Sequence, residues 1–100
     1  DVAKSTDELP LKVGSGDLRL QFSKAAWVEA VYSRGKVIRR VFQPGQELAL
    51  EYPELKTLVI GSFSGVKVYK SEKPIDVTTI RQPVGDVVKF SGDELVKFLQ

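Results

Sequence analysis

The side chains in this chain with the means to do chemistry are its carboxylates. Glu29, Glu47 and Glu51 sit within or beside alternating apolar patterns, and two acids held a fixed distance apart are the minimum for glycoside hydrolysis. Glu29 stands out because it interrupts Ala26 to Tyr32, a segment that otherwise reads as covered on both faces. The simpler reading is that Glu29 reaches the sheet margin or pairs with Arg19 or Arg39. Composition closes most other routes. The 100 residues include no histidine and no cysteine, which removes imidazole bases, activated thiols, Ser–His nucleophiles, and zinc and iron–sulfur ligation. Gly14-Ser15-Gly16 lacks the third glycine and the helix start of a dinucleotide loop, and no calcium-loop spacing of acids occurs. The expectation is a non-enzyme with no catalytic, cofactor-binding or metal-binding residues.

Binding is the chemistry that remains. Basic residues number 15 and acidic residues 13, a formal charge of +2, which is a weak bias for a protein that would grip a nucleic-acid backbone. Phe22, Tyr32, Phe42, Phe63 and Tyr69 lie near Arg19, Arg34, Arg39, Arg40 and Lys67. Most of these aromatics fall at the inward phase of their strands, so no nucleic-acid platform is expected. Trp27, at the start of a central strand, is expected to anchor the core rather than to stack on a sugar. Two places are candidates for an interaction surface. One is the basic strip Arg34, Lys36, Arg39 and Arg40, at a hairpin that can form a sheet edge, where an added strand or an acidic partner could dock. The other is Phe63, between small residues in the Gly61 to Gly65 loop.

The elements that must position these residues are short strands. Leu18, Leu20 and Phe22 alternate with Arg19, Gln21 and Ser23, and Ala26 to Tyr32 follows as a central strand. Ser33-Arg34-Gly35 is a tight turn into Lys36 to Phe42, where the Arg39-Arg40 pair breaks alternation and predicts a β-bulge. Gln43-Pro44-Gly45-Gln46 reads as a type II turn. Strands follow at Glu47 to Tyr52, Lys56 to Ile60, Val66 to Tyr69, Ile75 to Val77 and Val87 to Phe90, most of them bounded by Gly or Pro. This spacing predicts an all-β fold, a small antiparallel β-sandwich of about seven or eight short strands. Ser91 with Glu94 three residues on forms a capping box, so residues 91–100 are expected to hold a short helix with Leu95, Val96, Phe98 and Leu99 on its apolar face. Residues 1–16 read as the end of a linker, the alternative being an edge strand over Leu9 to Val13, and residues 17–90 as the domain proper. No apolar run approaches the roughly 20 residues of a membrane span, and Asp1 to Leu9 lacks the pattern of a secretory signal.

The order of the motifs resembles a known family. Leu18 to Ser23 leads to Trp27-Val28-Glu29, then to Gly35-Lys36-Val37-Ile38 and Pro44-Gly45-Gln46-Glu47-Leu48. Leu58-Val59-Ile60-Gly61, Gly65-Val66-Lys67-Val68 and Lys73-Pro74-Ile75-Asp76-Val77 follow. Over Leu18 to Phe90 this series is similar to the extracytoplasmic C-terminal domain of RodZ-like bacterial cell-shape proteins. Departures occur at Ser33-Arg34-Gly35, Ser62-Phe63 and Ser71-Glu72, where the family carries other turn residues, and the tail from Ser91 runs past its usual end. The resemblance implies the outer domain of a single-pass membrane protein, in the periplasm or at the cell surface, anchored only through an upstream segment. It implies a scaffolding role that couples an actin-like filament to envelope growth, with a protein of the envelope or wall-synthesis machinery as partner. Peptidoglycan or another glycan is the alternative ligand, with Trp27, Phe63 or Tyr69 as stacking residues.

Overall fold

A computed structural model describes residues 11–99. Two sheets face each other. The first has five strands in the order β1 (Lys12–Val13), β5 (Glu47–Leu50), β2 (Leu18–Phe22), β7 (Val66–Lys70) and β8 (Lys73–Ile75). The second has four, in the order β4 (Val37–Phe42), β3 (Ala26–Tyr32), β6 (Leu55–Gly61) and β9 (Val87–Ser91). All pairings are antiparallel except β1 with β5, which is parallel. This is the expected all-β sandwich.

Period-two patterning builds the core. Leu18, Leu20 and Phe22 of one sheet and Val28, Ala30, Phe42, Leu58, Ile60, Val88 and Phe90 of the other are all buried in a single cluster. The Phe22 and Phe42 rings stack across the gap with centroids 4.9 Å apart and planes 6° from parallel. The Gln43–Gln46 turn closes as expected, Gln46 N donating to the Gln43 carbonyl, and it is tied to β2 where Gly45 N donates to the Phe22 carbonyl.

The linker reading of residues 1–16 is corrected over its described part. Lys12–Val13 is a strand, in register with Glu47 and Leu48. Of the alternative edge strand, Leu9 and Pro10 lie outside the described residues. A Cβ at Gly14 would fall 2.4 Å from the Ala49 carbonyl oxygen, and one at Gly16 would fall 2.3 Å from that of Leu50. The glycines that read as flexible punctuation are there because backbone crosses backbone at close range.

The tail is a helix, α1 (Gly92–Leu99). Its capping box is formed as expected: Glu94 N donates to Ser91 Oγ at 3.2 Å and Ser91 N donates to Glu94 Oε1 at 2.9 Å. Leu95 and Leu99 are buried against the domain while Phe98 stays exposed, and Lys70 Nζ donates to the Leu99 carbonyl at 2.5 Å. The helix is therefore docked on its own sandwich.

Candidate functional site: the β3–β4 flank of the four-stranded sheet

The β3–β4 hairpin turns at Ser33-Arg34-Gly35, where Gly35 N donates to the Tyr32 carbonyl and Tyr32 N to that of Lys36. From there the register is unbroken, Val31 opposite Val37 through Ala26 opposite Phe42. The bulge expected at Arg39-Arg40 is absent. Alternation holds instead, with Ile38, Arg40 and Phe42 on the core side and Val37, Arg39 and Val41 on the outside. The sequence looked irregular because Arg40 takes an inward position, a charge that edge strands tolerate because one flank is open to water. Its guanidinium lies 4.9 Å from the Phe42 ring centroid.

The four basic candidates thus fall in different settings. Arg39 leaves the outer face and pairs with Glu29 at 2.9 Å, one of the pairings expected for Glu29 from the sequence. Arg40 leaves the opposite face. Lys36 lies 5.3 Å from the Tyr32 ring centroid, and with Arg34 it borders a recess shared with Tyr32, Glu51 and Glu54. Among the described residues Arg34, Lys36 and Arg40 form no ion pair. Only along the β4 edge do Arg39 and Arg40 come into view together.

The three carboxylates singled out by sequence do not converge. Glu29 sits on the outer face of the four-stranded sheet beside Arg39. Glu47 is bound in the five-stranded sheet to Arg19 at 3.3 Å and to Gln21 at 3.1 Å. Glu51 accepts from Tyr32 Oη at 2.9 Å and Ser15 Oγ at 3.1 Å. The Tyr32 bond holds Glu51 below the usual carboxylate range, and burial, ahead of that bond, pushes the Tyr32 phenol up to about 12. Among the described residues no group of three or more acids is placed to hold a metal ion.

Phe63 is half-buried and packs on the core, in a 3-10 turn over Phe63–Gly65 pinned by Phe63 N donating to the Asp86 carbonyl. Trp27 is the reverse case. It was expected in the core, yet it is 40% exposed on the outer face, where β3 is not covered. Cross-strand register places it in a row Val41, Trp27, Gly61, Val87. Val41 and Val87 are exposed too, and Val84, bridged to Val87, is 81% exposed. A Cβ on Gly61 would lie 3.5 Å from that of Trp27, so the glycine keeps the row low beside the indole. The signal was present in sequence as alternating apolar residues on both faces of β3, without the means to say which face turned outward.

The family model of the RodZ C-terminal domain matches residues 19–91. The chain belongs to that family. The match begins in β2 and ends in β9, so it takes in both faces of the sandwich and the whole β3–β4 hairpin, and it stops where α1 starts. RodZ C-terminal domains are non-catalytic and belong to RodZ-like proteins tied to cell shape. Comparison with curated proteins and with solved structures gives no match.

Proposed function

We propose that this RodZ C-terminal domain is a non-catalytic interaction module, the outer domain of a membrane-anchored RodZ-like protein. It lies outside the cytoplasm and couples the filament-based cell-shape machinery to envelope growth by holding a protein of the wall-synthesis apparatus. The observation that carries this reading is the flank of the four-stranded sheet, which offers an apolar row on its outer face and an open β4 edge. The purified domain, immobilised and exposed to envelope extract, is expected to retain a wall-synthesis or division protein. It should do so less well once Trp27→Ala and Val41→Ser remove the row. Recovery of no such protein by the wild-type domain counts against the proposal.

Exposure of Trp27 also favours a second reading, a glycan-binding face on which the indole stacks on a sugar ring. Soluble wall fragments should then shift or quench Trp27 fluorescence in a saturable way, and emission indifferent to added fragments removes this reading.

A further inference from the structure

The sandwich has four sheet margins, and they are treated unequally. In the five-stranded sheet β1 is two residues long and β8 is three residues with Pro74 in the middle, both devices that blunt an edge. In the four-stranded sheet the start of β9 is folded into a tight turn by reciprocal backbone bonds between Val84 and Val87, and its end runs directly into α1. β4 has six residues, contains no proline, and among the described residues pairs only with β3. Bonded pairs alternate along an antiparallel ladder, and Tyr32 N bonds the Lys36 carbonyl. It follows that Ile38, Arg40 and Phe42 spend their backbone groups on β3, while the N–H and C=O groups of Val37, Arg39 and Val41 point outward along the edge.

Resting on the interaction reading above, we propose that the β4 edge takes an acidic, extended peptide segment of the partner as a fifth strand of this sheet. Charge selects that occupant. Arg39 and Arg40 project to opposite faces, so a ligand lying on either face meets one of them, whereas an added strand meets both. The residue opposite Arg39 and the next one, opposite Arg40, are acidic, and the residues flanking them, opposite Val37, Ile38, Val41 and Phe42, are apolar. A second copy of this chain is the wrong occupant. Antiparallel β4–β4 pairing must set outward residues against outward residues, so centred on Arg39 or on Arg40 it places that arginine directly opposite its own copy, and like charges directly opposite are destabilising. The charges that keep the edge from its own kind are those that attract an acidic strand.

The test uses the purified 100-residue chain and a synthetic peptide with two adjacent glutamates flanked on both sides by valines and threonines. Bound peptide should slow hydrogen exchange at the Val37, Arg39 and Val41 amides and move their NMR signals most. Arg40→Glu should weaken binding by at least about tenfold, and a peptide with lysines in place of the glutamates should then bind the variant better than the wild type. Val41→Pro removes an outward N–H without taking a donor from the β3 ladder, and should abolish binding while Arg40 remains. The proposal is overturned if the edge amides do not respond, if the lysine peptide binds the wild type equally well, or if the response centres on Trp27 and Val87. Should envelope extract still yield a wall-synthesis protein in that event, the interaction reading stands and only the mode of docking is lost.

Discussion

Tyr32 and Glu51 make a hydrogen bond that both partners feel, and its signs are opposite on the pH axis. The folded phenol titrates at about 12 rather than 10.0, so its contribution to stability is whole below pH 10 and is lost as pH rises through about 12. Glu51 is lowered from 4.5, so its contribution is present above that value and lost as pH falls through the lower folded one. Phenolate absorbance and urea midpoints recorded across pH should show both limbs. Tyr32→Phe should cost about 1 kcal/mol and flatten the acid limb. Trp27 makes a separate prediction: acrylamide should quench its emission readily in the folded domain, as for an exposed indole, and resistance to quenching would contradict the placement of the β3 outer face. Sequence reasoning had Trp27 inside because alternation says which residues share a face, and on β3 both faces are apolar. The choice between them depends on where the second sheet lies, which is not a local property. Glu29 was the opposite situation, since Arg39, near along the hairpin, stood with Arg19 and the sheet margin among the places expected for its side chain, and Arg39 is the one it meets.

At the level of elements, the strands and the helix were legible where one local rule governs them. The β2 alternation, the 43–46 turn and the Ser91–Glu94 capping box each need only neighbouring residues. The β4 bulge was misread because inward placement of Arg40 breaks the hydrophobic rule without breaking the ladder. Residues 12–16 were misread because glycine serves both a mobile linker and a close crossing. The helix carries its own prediction. Ser91→Ala removes the cap and should cost about 1 kcal/mol, seen as a lower urea midpoint with strand amides unchanged in register. Glu94 is held below its usual 4.5, first by the Ser91 backbone N–H and then by Arg81. Acid should therefore loosen α1 as pH falls below that value, and Glu94→Gln should remove most of that dependence. Gly92 is a harder constraint. A Cβ there would sit 1.8 Å from the Leu55 carbonyl oxygen, so Gly92→Val should release the helix from the β6 end, detectable as faster exchange at Leu95 and Leu99.

Across the whole molecule, one core serves both sheets, and Phe42 is where an edge strand is fastened to it. Phe42→Ala should cost about 3–5 kcal/mol and, because the stacked Phe22 loses its neighbour, lower the cooperative unfolding transition rather than fray β4 alone. The charged edge predicts a monomer. Sedimentation should give one species for the wild type, and concentration-dependent association once Arg39 and Arg40 are both replaced by threonine. What sequence could not supply at this scale was the pairing order, since β2 is flanked by β5 and β7 and β3 by β4 and β6, partners set by long-range packing. The parallel attachment of β1 has a mechanical meaning. It is two residues of edge strand, and such margins open at small free energy. A pull applied through residue 11 meets this catch before it meets the core. Letting go frees residues 11–17, about 23–25 Å of chain at full extension, while β2 and everything packed on it stay in place. With the chain held from that side, as the proposed anchoring requires, β1 is the part expected to yield first under tension, before β2.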